Sequence, residues 1–290
     1  MRFAPALVLA VLVSTTAAAQ SPAVPAAYAP FTLERTEQRP LEAGVNNEHY
    51  LLSIALPPSY EKEKTRRYPV VYLLDGYWDF PALYHMQGGL LFDKAVPEHV
   101  LVGIGYQRVV ESYDRMRAWD MTPLPEGGVA KSGGAPAFLK LIETQVIPLV
   151  EKDYRADPSY RVLAGSSLGG LMSLYAMFER PGLFHAILSS SPAVGYAGDW
   201  LFRRKVEAFT KAGQKLDASL FMTVGSDEWP DFVKDVHRFD ERLRAQPIPG
   251  LRYEFRVIDG EAHAGSKPEA FNRGLRFVLR PYMDRPGAGK

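Results

Sequence analysis

Three groups of residues, far apart along the chain, carry the types needed for acyl transfer to a serine. Gly165-Ser166-Ser167-Leu168-Gly169 has the form G-x-S-x-G. In that pattern small neighbours let a strand run straight into a helix and leave the central serine exposed on a strained turn. Chance supplies the five letters in about one chain in ten of this length, so the context decides. An apolar strand over 161–164 precedes them and a helical run over 168–178 follows. Ser167 is therefore the candidate nucleophile, with the N-terminus of the following helix directing positive potential at it. Ser166 is in the wrong register.

A serine needs a base, most often histidine. The six candidates are His49, His85, His99, His185, His237 and His263. His49, His99 and His185 open predicted strands, which places them at the wrong end of a parallel sheet, and His237 falls within a predicted helix. His85 precedes the serine, whereas the order expected around such an elbow is serine, acid, histidine. His263 alone lies between the last predicted strand and the last helix, in Asp259-Gly260-Glu261-Ala262-His263, and is the expected base. The acid that orients it should follow the intervening strand, which ends in Gly225-Ser226-Asp227-Glu228. Glu228 is preferred, three residues past the glycine; Asp227 is the alternative, and a serine–histidine pair without an acid stays open. An oxyanion hole needs two backbone donors. The Leu168 amide is one, and Gly76 or Tyr77, in the turn after the apolar run 69–74, is the other.

Those groups must be carried by a suitable frame. The 290 residues suit one large α/β domain, and 47% apolar with 23% charged is the balance of a globular chain, excluding disorder and coiled coil. A net charge of +1 gives no field for gathering phosphates, so nucleic acid is not expected as a partner. The absence of cysteine removes disulfides, thiolate metal sites and cysteine nucleophiles. Arg2, the uncharged stretch 3–13 and Ala17-Ala18-Ala19 form the pattern of a secretory signal peptide over 1–19. Eleven residues are too few to cross a bilayer, so a soluble periplasmic or secreted protein without a membrane anchor is expected. Residues 20–45 are expected as a flexible leader and 46–290 as a single domain. Within the domain, apolar runs at 48–56, 69–74, 100–104, 161–164, 185–189, 219–224 and 253–258 read as strands. Helical patterns at 136–151, 168–178, 199–211, 231–244 and 268–279 alternate with the later strands. Pro148 should kink or end the first of these helices. The alternation implies a mostly parallel central sheet with helices on both faces, and reactive groups beyond the C-terminal ends of its strands.

With these residues in hand, the run RVLAGSSLGGLMSLYAMFERPGLFHAILSSSPA, with VVYLLDG upstream and GEAHAGSKPEAFNRGLRF downstream, resembles the Putative esterase family. That group includes esterase D, ferric enterochelin-type siderophore esterases and feruloyl esterases, all of the α/β-hydrolase fold. The resemblance covers most of the chain after about residue 45. It implies Ser167 and His263 as catalytic, with the acid in the GSDE segment. Asp75 stands where related enzymes often have histidine. Mycolyl transferases share the fold, so acyl transfer to an alcohol is an alternative to hydrolysis.

Trp78, Trp119, Trp200 and Trp229 all follow predicted strands, in expected loops, and Arg108, Arg115 and Arg117 share a loop with Trp119. Aromatic faces and guanidinium groups suit aromatic or anionic esters. A small-molecule ester, such as a ferric catecholate siderophore, is therefore expected as substrate, contacted by Trp78, Arg117, Trp119, Trp200 and Trp229. A feruloyl or acetyl ester of a carbohydrate is the alternative, and a non-catalytic binder of aromatic ligands is the reading from another class. No cofactor or metal is expected: there is no H-E-x-x-H, no P-loop lysine and no complete dinucleotide-binding glycine pattern.

Overall fold

Strands that are apolar at every position must be covered on both faces, and here they form the middle of one sheet. The computed structural model describes residues 31–41, 49–107, 113–126 and 131–286. Among these residues eight strands pair in the order β1-β2-β4-β3-β5-β6-β7-β8. They are β1 (Thr36–Leu41), β2 (Tyr50–Ala55), β3 (Tyr68–Leu73), β4 (Val100–Tyr106), β5 (Ala156–Ser166), β6 (Ala186–Ser190), β7 (Ala218–Gly225) and β8 (Leu251–Ile258). β3 to β8 run parallel, and β1 and β2 are antiparallel additions at one edge. The period of two along β3 divides its side chains between two cores. Val71 and Leu73 join Phe80, Leu83, Phe271 and Leu275 on one face, while Val70 and Tyr72 join Phe138, Leu171 and Leu174 on the other.

The first face is covered by α1 (Gly76–Phe92) and α8 (Lys267–Met283). The remaining helices are α2 (Tyr113–Asp120), α3 (Ala135–Leu141), α4 (Ile147–Asp153), α5 (Leu168–Glu179), α6 (Glu207–Lys211) and α7 (Pro230–Ala245). Pro148 neither breaks nor simply ends the expected helix over 136–151. A π turn, Ile142–Val146, separates α3 from α4 and leaves Pro148 in the first turn of α4, where its missing N–H is harmless. A second π turn, Phe202–Val206, precedes α6.

Three expectations are corrected. The leader expected through residue 45 is too long, because Thr36–Leu41 pairs with β2 along its whole length. An edge strand tolerates the polar residues and Pro40 that made this segment look unstructured. Residues 1–30, including the expected signal peptide, lie outside the described residues, as does Arg108. Residues 76–92 form α1, which contains Pro81 and has no apolar stripe of helical period to reveal it. His49, finally, is not at the far end of the sheet: β2 is antiparallel, so its start lies beside the C-terminal end of β4, and the Gln107 amide donates to the His49 carbonyl (2.8 Å). Three strand positions still separate β2 from β5. From Leu33 onward the described residues form one compact unit, and among them no helix is long and apolar enough to cross a membrane.

Candidate active site

Ser167 follows the last residue of β5 and precedes the first of α5, with φ 60° and ψ −118°. A serine holds so unfavourable a conformation only when its surroundings over-determine it. Its amide donates to the Ser190 carbonyl (3.0 Å), and its carbonyl accepts from the amides of Leu171 (2.9 Å) and Ala193 (3.1 Å). The crossing of strand and helix requires glycine, since a Cβ on Gly165 would collide with the backbone of Gly169. Ser167 is half-buried and Ser166 is buried. The Leu168 amide heads α5 directly behind the Ser167 hydroxyl's residue.

The parallel order β5-β6-β7-β8 brings the ends of four successive strands to one rim. Beyond β7, the buried Glu228 accepts from His263 Nδ1 at 2.5 Å through Oε2. Its Oε1 accepts from Ser191 Oγ (2.5 Å) and from the Gly225 amide (2.6 Å). Burial pushes the Glu228 carboxyl up, but the bonds from His263, Ser191 and Gly225 together outweigh it, so its pKa lies below the ordinary carboxylate value. A proton on Nδ1 leaves Nε2 of His263 as the acceptor. Asp227, the alternative acid, is exposed, accepts from Ser226 Oγ (2.9 Å), and bonds the histidine loop only through its amide, to the Glu261 carbonyl (3.0 Å).

Beyond β3, Asp75 adopts a left-handed conformation (φ 55°, ψ 37°) and α1 begins at Gly76. The Asp75 carbonyl accepts from Trp78 and Asp79, so the amides of Gly76 and Tyr77 stand ahead of the helix ladder. Gly76 lies so close to β4 that an added Cβ would be 2.6 Å from the Gly103 carbonyl carbon. The buried Asp75 carboxylate accepts from Arg117 Nε (3.0 Å) and Nη2 (2.8 Å) and from the Tyr113 hydroxyl (3.1 Å).

The expected substrate contacts divide. Trp229 (63% exposed) lies outside helix, in the loop before α7, its ring 5.2 Å from that of His263, and Phe232 is 5.1 Å away on another side. Trp78 is half-exposed but belongs to the first turn of α1, with the Arg117 guanidinium 5.7 Å over its ring. Trp119 lies in α2 and packs against Gly134, where a Cβ would overlap its indole; Trp200 lies in a helical turn against Tyr175 and Lys205. These two are packing residues, because the segments after β4 and β6 fold back as helices where loops were expected. Arg117 is bound to Asp75, which corrects its assignment to substrate. Ser191 and Ser266 were not singled out in the sequence: Ser266, buried at the start of α8, sits 3.3 Å from Ser191 Oγ and donates to the His263 carbonyl (3.2 Å). The only signal for Ser191 was its place in Ser189-Ser190-Ser191, at the end of a strand beside the elbow.

This sheet order, with a strained serine between β5 and α5 and a histidine after the last strand, defines an α/β-hydrolase of the carboxylic ester hydrolase class. The chain belongs to the family described as "Putative esterase", whose model matches residues 45–254. It is 29% identical to the ferri-bacillibactin esterase of Bacillus subtilis over 87% of this chain and 92% of that one. It is 30% identical to the siderophore triacetylfusarinine C esterase of Aspergillus fumigatus, over 75% and 78%. The crystal structure of the BES protein from Bacillus cereus superimposes with a TM-score of 0.76 at 26% identity, covering 87% of this chain and 97% of that one.

Proposed function

We propose that this esterase hydrolyses a bulky siderophore ester, a ferric catecholate in the first instance, through an acyl-enzyme on Ser167. The observation that carries the mechanism is the 2.5 Å bond between Glu228 and His263 Nδ1, which leaves Nε2 free to take up the serine proton. Ser167 Oγ attacks the ester carbonyl carbon as its proton passes to His263 Nε2, and Glu228 stabilises the imidazolium. The tetrahedral oxyanion is received by the Leu168 amide and that of Gly76 or Tyr77. Collapse breaks the C–O bond, and the proton on His263 goes to the departing alcohol. Water, deprotonated by the same imidazole, then releases the acid and regenerates Ser167.

The siderophore reading is supported by the names of two relatives that align over most of the chain, and by the exposed aromatic rings of Trp78, Tyr77 and Trp229. Export is part of the proposal, on the strength of the signal-like start over residues 1–19. Purified protein assayed against ferric siderophores, feruloyl sugars and acetylated sugars tests the substrate. Preference for either sugar ester by kcat/KM would replace the siderophore reading. A fluorophosphonate probe should label Ser167, and Ser167→Ala should abolish labelling and hydrolysis together. Full activity in that variant would overturn the mechanism.

A further inference from the structure

The Asp75 carboxylate is an unusual neighbour for an oxyanion site. It is 1% exposed, and its residue immediately precedes the amides of Gly76 and Tyr77. It also abuts the elbow: a Cβ on Gly169, two residues past Ser167, would lie 3.1 Å from Asp75 Oδ2. A buried anion at this junction would repel the negative charge that develops during acyl transfer, and the less water reaches it the stronger the repulsion. The cation that answers it comes from α2. Arg117 is 13% exposed and engages both carboxylate oxygens, while Tyr113, one helical turn earlier on the same face, bonds Oδ1. The neighbouring acid on α1, Asp79, is bonded by its own cation, Lys267 in the first turn of α8 (2.9 Å), and feels Arg117 only through space, so the direct bonds of the Arg117 guanidinium go to Asp75.

Resting on the serine mechanism above, we propose that Arg117 is a positioning residue for the oxyanion hole. It holds Asp75 in the left-handed conformation that points the first amides of α1 at the reacting oxygen, and it cancels the Asp75 charge beside them. Burial disfavours the guanidinium charge, but Asp75 overrides it and keeps Arg117 protonated. A fixed pair of opposite charges costs no reorganisation when the oxyanion forms, whereas a lone carboxylate would oppose it.

The test compares full-length Arg117→Met with the Asp75→Asn/Arg117→Met double variant on a nitrophenyl ester, with a phenylboronic acid as the mimic of the tetrahedral state. Arg117→Met should lose about 100-fold in kcat with KM changed by less than about threefold, and boronate affinity should fall in parallel. Removing the orphaned charge in the double variant should restore at least about tenfold of that loss. A purely structural role for the pair would lower the melting temperature while leaving boronate affinity unchanged, and that result overturns the proposal. So does a double variant no better than the single. Should Arg117→Met fail to fold, the double variant decides alone: folded and within about tenfold of the parent supports the proposal, folded and more than about 100-fold slower overturns it. Ser167→Ala run alongside keeps the two claims apart. Hydrolysis surviving there removes the mechanism; hydrolysis lost there, with Arg117→Met at the parental rate, removes only the role of Arg117.

Discussion

The His263 side of the rim is held by one carboxylate among hydroxyl and amide donors, whereas the Asp75 side is held by ion pairs. Glu228 is bonded by His263, Ser191 and Gly225, and Ser266 reaches both Ser191 and the His263 carbonyl. Asp75 and Asp79 instead face Arg117 and Lys267. The difference fits what the proposed mechanism asks of each side during a turnover. His263 must gain and lose a proton, so its partner has to tolerate two charge states of the imidazole. Dipolar donors keep Glu228 ionised in both without adding a competing cation. The proposed oxyanion donors, the Leu168 amide and that of Gly76 or Tyr77, change no charge, and what they contribute depends on staying where they are. Permanent ion pairs suit that task.

Ser167 sits between the two sides, so its replacement should have the largest effect. Ser167→Gly should remove at least about 10⁴-fold of kcat. It should also raise the unfolding free energy by about 1 kcal/mol, because glycine accepts φ 60° and ψ −118° without strain. Loss of activity combined with gain of stability, read by ester hydrolysis and denaturant unfolding, marks strain kept for function. A Ser167→Gly variant no more stable than its parent would mean that the elbow is not strained at this residue.

Next in size is Glu228→Gln. It preserves shape but removes the charge that fixes the Nδ1 proton, and about 10³-fold of kcat should go with KM little changed. If less than tenfold is lost, a serine–histidine pair suffices and the His263 side has no need of its acid. Ser191→Ala should cost less, about tenfold, since Glu228 keeps two of its three bonds. The direction of its pH effect is fixed. Losing a donor to the ionised form raises the Glu228 pKa from its depressed position, so the titration of the carboxyl itself moves to higher pH. A Glu228 carboxyl titration, followed by NMR, that stays in place or moves to lower pH would show that Ser191 does not hold the carboxylate.

How far the sequence reveals each side differs for the same physical reason. Strand–turn–helix chemistry is local, so Gly165, Ser167 and Gly169 announce an elbow by spacing, and His263 follows from its place after the last strand. Glu228 needed geometry to separate it from Asp227, one residue away and on the other side of the chain. Ser191 lies 37 residues before Glu228, and nothing in a run of three serines marks the one that turns inward at φ 42°. The ion-pair side was less legible still. α1 lacks an apolar stripe, so the segment carrying Asp75, Gly76, Tyr77 and Asp79 reads as loop. Arg117 beside Trp119 suggests a surface for substrate until the 42-residue separation from Asp75 is closed in space.

The smallest expected effect lies at the far end of the sheet and serves as the control for both sides. His99 opens β4, is 2% exposed, and bonds the Pro97 carbonyl through Nδ1 (2.8 Å). Burial lowers its pKa from the ordinary 6.5, with the Pro97 bond and Glu98 opposing. Above about pH 6.5 the imidazole is neutral in folded and unfolded chains alike, and it contributes no pH dependence. Below that value the unfolded chain takes up a proton that the folded one resists, so stability falls as the pH drops towards the folded pKa. His185, lowered by burial and by Arg161, acts with the same sign. Unfolding by urea at pH 7.5 and pH 5.0 should show this loss in the parent and a smaller one in His99→Gln, with hydrolysis rates at pH 7.5 unchanged. Glu228 does not interfere, because the stability owed to its depressed pKa is present above the ordinary value of 4.5 and is lost only as the pH falls through the folded value. If His99→Gln loses as much as the parent between those pH values, the acid sensitivity of the fold comes from elsewhere. A fall in activity near pH 5 could then no longer be divided between the catalytic rim and the base of the sheet by this variant.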